Sequence, residues 1–364
     1  MSNPQEKFLN ELVEIVVKEN ASDLHLSEGR IPVIRVSGFL IPLTKMPKLS
    51  EEDVAGFLSI FLSPDEKKEF EVEKDVNFAY SHEGRARFRC NAFLSLGRVS
   101  VAMRLIPTTV KSFEELSLPP ILGTFAKSQQ GFFLVVGPIG VGKSTTLATM
   151  IETINLERLE HIITIEDPIE FLCQDRKSII NQRELGLDVQ SYPMALKHVT
   201  QQSPDIIFIG NIRDEPTMRA AITATELGAF VMTTFHTINA VQTIIRMVNF
   251  FPPHLHDEVR MQLSLILKGT VSVRLLSRKD GKGRIPAVET MVVTPTIARL
   301  IRDGQIREIQ NYIDEGELYG MQSFKKSLVK LVKSGLVEVR EAREYADSKD
   351  DFDLEIKGVR RYAE

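Results

Sequence analysis

Hydrophobic and polar positions along the chain change rhythm as it proceeds. Over residues 7–19, Phe8, Leu9, Leu12, Val13, Val16 and Val17 recur at helical spacing, which predicts a helix with one apolar face. Short alternating or apolar runs follow, among them DLHLS, PVIRVSGFLIPL, NFAYSH, RARFRCNAFL and RVSVAMRLI, and these predict strands. Ser50 ahead of EEDVAGFLSIFL has the character of a helix N-cap, with acids in the first turn. This front region therefore reads as α+β, an antiparallel sheet with helices on one face. The stretch IPTTVKSFEELSLPP, ending at Pro120, reads as an interdomain linker.

From Gly131 the texture is different. FFLVV, HIITI, DIIFIG and FVMTTF are continuous apolar runs separated by helix-length segments. Strands apolar on both faces are what a buried parallel sheet requires. After about Thr294 the chain reads as helical and charged, with GMQSFKKSLVKLVKSGL the clearest amphipathic stretch. The expected architecture is an α/β core preceded by an α+β domain and followed by a helical tail.

Composition narrows the class. At 364 residues the chain has room for about two domains, each with its own core. Lys+Arg is 45 against Asp+Glu 49, a net charge of −4, which argues against wholesale binding to nucleic acid. Cys90 and Cys173 are the only cysteines and form no CxxC pair. A disulfide scaffold and a zinc ribbon are thus excluded, and a reducing compartment is favoured. The polar start predicts no secretory signal, and no apolar run approaches the ~18 residues of a membrane span. A cytoplasmic protein is expected.

The chemistry begins at Gly137, where GPIGVGKS matches G-x-x-x-x-G-K-[ST] between an apolar run and the helical pattern STTLATMIETI. A strand that delivers a glycine loop to a helix N-terminus aims backbone N–H groups at phosphates. Gly137, Pro138, Gly140, Gly142, Lys143, Ser144 and Thr145 are the candidate nucleotide-binding residues. Lys143 would neutralise phosphate charge and Ser144 would ligate Mg²⁺. ATP or GTP binding follows.

Three further strand ends carry polar groups. In IITIEDP, Glu166 is placed to orient or deprotonate an attacking water; the other reading is a capped turn with a solvated acid pair. In SPDIIFIGNIRD, Asn211 stands where P-loop NTPases usually carry the acid that holds Mg²⁺. An amide brings no charge, so metal affinity and catalysis should weaken. Arg213 and Asp214 beside it are expected to pair at the surface. In FVMTTFHT, His236 could sense or contact a γ-phosphate, or be a satisfied core histidine. Nearer the start, GRARFRC puts Arg85, Arg87 and Arg89 on one strand face, with Arg98 and Arg104 following. That face reads either as a solvated cationic surface or as an anion clamp on nucleotide.

Together and in this order, these motifs resemble the type IV pilus retraction ATPases of the secretion-ATPase superfamily, over nearly the whole chain. ASDLHLSEGRIPVIRVSG, GRARFRCNAF, INQRELGLD and TTFHT add to the motifs above, while VNFFPP, LSLILKGTVSVRLL and the tail suggest the PilU-like branch. Two unpaired cysteines separate the chain from extension-type relatives bearing a tetracysteine zinc module. The resemblance implies a PAS-like domain over 1–106, a linker over 107–120, a RecA-like P-loop ATPase core over 121–293 and a helical region over 294–364. It implies a homohexamer that binds ATP and Mg²⁺ between the two domain types and works peripherally at the inner face of the inner membrane. A platform protein there and a paralogous retraction ATPase are the implied partners, with no nucleic acid. By resemblance Glu166 is the general base, His236 the second histidine of the family's His box, and Arg89 and Arg104 reach the phosphates, with Arg85 or Arg98 assisting. Three positions depart from the family: Asn211, Gln201 and Ala229. Grouped at one active site, they frame the alternative of a hydrolysis-poor accessory ring.

Overall fold

The computed structural model describes residues 4–36, 38–82 and 86–358; Arg85 lies outside the described residues. The chain divides into two compact units, one running through Thr108 with Glu170–Leu172 added, the other holding the rest.

The first unit contains α1 (Pro4–Lys18), β1 (Asp23–Ser27), β2 (Val33–Val36), β3 (Phe39–Pro42), α2 (Glu51–Phe61), α3 (Pro64–Glu73), β4 (Asp75–His82), β5 (Ala86–Ser95) and β6 (Arg98–Ile106). Its strands pair antiparallel in the order β3-β2-β1-β6-β5-β4. Leu9, Leu12 and Val16 on α1 are fully buried against a core that includes Leu24, Phe57 and Phe88. Val17, expected on the same face, is 46% exposed; it lies past the edge of the stripe. Ser50 caps α2 as its sequence suggests. Its hydroxyl accepts the Asp53 amide and the Asp53 carboxylate accepts the Ser50 amide, a capping box.

The second unit carries α4 (Ile121–Ala126), β7 (Gly131–Val136), α5 (Lys143–Glu157), β8 (His161–Glu166), β9 (Ile179–Glu184), α6 (Tyr192–Val199), β10 (Ile206–Ile209), α7 (Glu215–Glu226), β11 (Phe230–Phe235), α8 (Ala240–Asn249), α9 (His256–Ile266), β12 (Leu267–Ser277) and β13 (Arg284–Val292). Helices α10 (Pro295–Arg302), α11 (Ile309–Glu315), α12 (Phe324–Lys333), α13 (Val339–Glu344) and α14 (Lys349–Ile356) follow. The sheet runs β13-β12-β7-β11-β10-β8-β9, parallel except for β13. β7, β10 and β11 are buried at every position. Phe132 and Leu134 point into one apolar cluster while Phe133 and Val135 point into another. A core on each face is why these runs are continuously apolar. None of the described helices is long and apolar enough to cross a membrane.

Strand order decides what can meet. All parallel strands end on one edge, where β7 leads into the glycine loop, β11 into His236, β10 into Asn211 and β8 into Glu166–Asp167. At about 4.8 Å per strand, β11, β10 and β8 stand roughly 5, 10 and 14 Å from β7. Gln201 precedes β10 and Ala229 precedes β11, so both lie on the opposite edge. Crossing β11 takes six residues, about 20 Å. The grouping of Gln201 and Ala229 with Asn211 at one site is therefore corrected: within one chain only Asn211 is at the phosphate edge.

The segment after His236 is anchored by a buried acid. Glu289, on β13, is 1% exposed. Its Oε1 accepts the Ala240 amide at the start of α8 at 2.9 Å and the Ser272 hydroxyl at 3.2 Å, and Gln310 Nε2 lies 3.5 Å from Oε2. Burial, reinforced by Asp347, pushes this carboxyl up from 4.5 to about 7 against those hydrogen bonds. The folded chain thus binds a proton that the unfolded chain releases between about pH 4.5 and 7, so this group's contribution is complete below that window. It declines through it by roughly 3 kcal/mol. Glu289→Gln keeps the shape and cannot ionise. Its melting temperature relative to wild type is expected to climb steadily from pH 5 to pH 8; an offset independent of pH contradicts this.

Candidate nucleotide site

The glycine loop closes on its own lysine. Gly137 has φ 149°, and a Cβ there would lie 2.6 Å from the Val273 carbonyl oxygen and 2.7 Å from Val141 Cγ2. Only glycine fits. Gly142, with φ 92°, turns the chain into α5, whose first amides face the loop. Lys143 is 8% exposed, and its Nζ donates to the carbonyls of Gly137 at 2.8 Å and Pro138 at 2.7 Å. Nδ1 of His236 lies 3.4 Å from the same ammonium. Partial burial, then the charges of Lys143, Arg213 and Arg246, hold the imidazole below its ordinary pKa. His236 is accordingly neutral at pH 7, and Nδ1 faces the ammonium as an acceptor.

Farther along the edge, Glu166 is 7% exposed. Its Oε1 accepts the Thr164 hydroxyl at 2.7 Å and Gln182 Nε2 at 3.2 Å. Gln182 Oε1 in turn accepts the Cys173 amide at 2.8 Å, so the amide side chain is locked from both ends. The solvated-pair reading of Glu166–Asp167 fails for Glu166, which is buried and hydrogen-bonded. The hydroxyls of Thr233 and Thr234 on β11 donate to the carbonyls of Ile209 and Gly210, clamping the β10 tip that presents Asn211. Arg213 does not pair with Asp214. Its guanidinium lies 3.9 Å from Asp167, while Asp214 caps α7 by accepting the Thr217 amide at 2.8 Å. A helix N-terminus offers Asp214 unpaired amides, and these outcompete a surface arginine.

Arg89 and Arg104 belong to the first unit. Register aligns Arg35 with Asp23, Asp23 with Arg104, and Arg104 with Arg89 across four adjacent strands. Asp23 lies 3.0 Å from Arg104 and 3.4 Å from Arg35. Burial alone would raise the Asp23 carboxyl. Hydrogen bonds from Ser22 and Arg104, with the charges of Arg104 and His25, hold it below its ordinary value instead. Arg104 remains 72% exposed, so this pairing is worth under about 1 kcal/mol and does not commit it. Three guanidiniums to one carboxylate leave the row cationic. Arg98 lies 3.7 Å from Glu28.

Beside the loop lies a cavity of about 510 Å³ lined by Leu116, Leu118, Gly142, Thr145, Arg278 and Arg284, among others. Its wall combines the stretch read as a linker with the turn between β12 and β13. Apolar side chains and an Arg278–Asp280 pair suit a base and ribose. Sequence reasoning missed Thr164, which bonds Glu166 two residues on along β8, and it missed Gln182 and this cavity, which depend on strand order. For the metal, no cluster of three or more His, Cys, Asp or Glu able to hold an ion occurs among the described residues. Mg²⁺ takes few protein oxygens and relies on phosphates and waters. The Ser144 hydroxyl and Asn211 amide are the oxygens on offer.

Comparison with known proteins places this geometry. The family profile described as type II/IV secretion system protein matches residues 1–278. The Pseudomonas aeruginosa type IV pilus ATPase PilU is 38% identical over 346 residues, 95% of this chain and 90% of its own. The type IV pilus retraction ATPase PilT of the same organism is 38% identical over 344 residues, covering 94% and 99%. The crystal structure of the pilus retraction motor PilT with bound ADP matches with a TM-score of 0.85 at 37% identity, over 94% of this chain and 97% of that one.

Gly137→Ala tests whether loop geometry governs binding. The added methyl must displace the Val273 carbonyl or Val141, so affinity for a fluorescent ADP is expected to fall at least ~10-fold while the circular dichroism spectrum is retained. Unchanged affinity contradicts the loop's role.

Proposed function

The chain belongs to the type II/IV secretion system protein family, and we propose that it is the ATPase subunit of a motor that retracts type IV pili. The observation that carries this reading is the buried Lys143 ammonium held by the carbonyls of its own glycine loop, at the head of a fifteen-residue helix. ATP is the fuel and Mg²⁺ its counter-ion. A homohexamer at the inner face of the inner membrane, engaging a platform protein and a paralogous retraction ATPase, is the assembly that the PilT- and PilU-like sequence supports.

Each residue has a task. Lys143 exchanges its two carbonyl partners for phosphate oxygens, an exchange favoured because an anion replaces neutral dipoles. The α5 N-terminus and the amides of Gly140, Gly142 and Thr145 cradle the same phosphates, and the cavity takes the base. Mg²⁺, held by Ser144 and through water by Asn211, would neutralise phosphate charge. Glu166, oriented by Thr164 and Gln182, accepts a proton from the attacking water. The strand spacing of about 14 Å from β7 means that it acts on the far side of the γ-phosphate, not on the loop. Neutral His236 reports on phosphate through Lys143. Arg89 and Arg104 supply the cationic face that meets nucleotide bound by a neighbouring protomer. Asn211 alone supports a hydrolysis-poor ring, since Gln201 and Ala229 sit on the other edge.

Phosphate release from Mg-ATP by the purified assembly tests the reading. Wild type should exceed Lys143→Ala clearly, and Glu166→Gln should lose about 10²- to 10³-fold in turnover while still binding ADP. Wild-type turnover equal to that of Lys143→Ala contradicts the motor. Asn211→Glu should raise turnover if the missing charge limits the rate.

A further inference from the structure

One polar atom at the phosphate edge is unaccounted for. Tyr192 opens α6, behind Ser191, whose hydroxyl accepts the Met194 amide. The side chain is 8% exposed and packs in the apolar cluster with Ile165 and Ile209. Its hydroxyl oxygen is sealed from solvent and has no hydrogen-bond partner among the described residues.

Glycine geometry locates that oxygen. A Cβ placed on Gly210 would be 3.1 Å from the Tyr192 hydroxyl, 3.3 Å from Glu166 Cα and 3.3 Å from the Ile165 carbonyl oxygen. The phenol therefore ends between the tips of β8 and β10, beside both Glu166 and the Gly210–Asn211 corner. The backbone N–H of Asn211 faces the oxygen outside hydrogen-bond geometry, and the charged groups acting on it are Asp167, Arg213 and Glu166. Burial first, then Asp167, pushes the phenol above its ordinary pKa, so it stays un-ionised at neutral pH and its oxygen can accept.

An unpaired buried hydroxyl carries a stability cost that phenylalanine would avoid at nearly the same volume. The cost is recovered if a partner arrives when the site is loaded. We propose that Tyr192 is a positioning residue of the nucleotide site, whose hydroxyl gains its missing hydrogen bond from a water in the Mg²⁺ shell at the Asn211 tip. It thereby supplies at that tip part of the polar hold that an amide without charge provides weakly. The inference rests on the Mg-nucleotide reading of this edge.

Calorimetric titration of ADP into the full chain, with Mg²⁺ and with EDTA, in wild type and Tyr192→Phe, tests it. In wild type, Mg²⁺ should tighten ADP binding. In Tyr192→Phe that tightening should shrink by roughly 3- to 10-fold, with affinity in EDTA unchanged and the melting temperature of the free protein equal or higher. A Mg²⁺ effect of the same size in both proteins overturns the proposal, as does an equal loss of affinity with and without Mg²⁺. Absence of any Mg-ADP binding by wild type overturns the nucleotide reading and this inference with it.

Discussion

A buried ammonium at the end of a buried strand is the constraint on which the rest of the site depends. Lys143 is enclosed by its own loop, and its ammonium donates to two of that loop's carbonyl oxygens. A cation in that setting is tolerable only while those dipoles, or a better acceptor, surround it. Each neighbouring feature serves that requirement. β7 is buried throughout so that the loop leaves from a rigid support, Gly137 removes the Cβ that would strike β12, and His236 stays neutral beside the charge. On the proposed reading, an anion entering the loop would replace neutral dipoles with a charge, and that difference would drive phosphate binding.

The same sheet separates what the chain must keep apart. The glycine loop leaves from β7, while Asn211 and Glu166 sit at the ends of β10 and β8, roughly 10 and 14 Å from it. On the proposed reading, the phosphate chain of a bound nucleotide would extend from the loop into that gap and give Glu166 its target. Thr164, Gln182 and the threonines of β11 hold the far tips in place before any nucleotide arrives. Pre-set donors and acceptors of this kind reduce the reorganisation that turnover demands. Asn211 is the one weak point on that edge.

Much of this was legible in the sequence because it is local. The glycine loop, the continuous apolar strands and the Ser50 cap each follow from neighbours within a few residues. Most of the misjudgements depend on strand order. Gln201, Ala229 and Asn211 look alike in a linear motif scan, yet the parallel sheet sends two of them to the opposite edge. Gln182 and Tyr192 reach Glu166 only because β9 and α6 flank β8 and β10. Arg213 and Asp214 are adjacent but face different demands, an acid on the next strand tip and the amides of α7. Glu289 is an acid within a stretch of β13 that is buried at every position from Ala287 to Met291, and its partners come from α8, α11 and β12, all distant in sequence.

The central claim is that the Lys143 ammonium trades loop carbonyls for phosphate. Its most direct test is the affinity of the wild-type chain and of Lys143→Met for a fluorescent ATP analogue in Mg²⁺, at several salt concentrations. The account predicts binding at least ~10-fold tighter in wild type, by an advantage that persists as salt rises because the charge is buried. Equal affinities, or an advantage that vanishes at moderate salt, would contradict it.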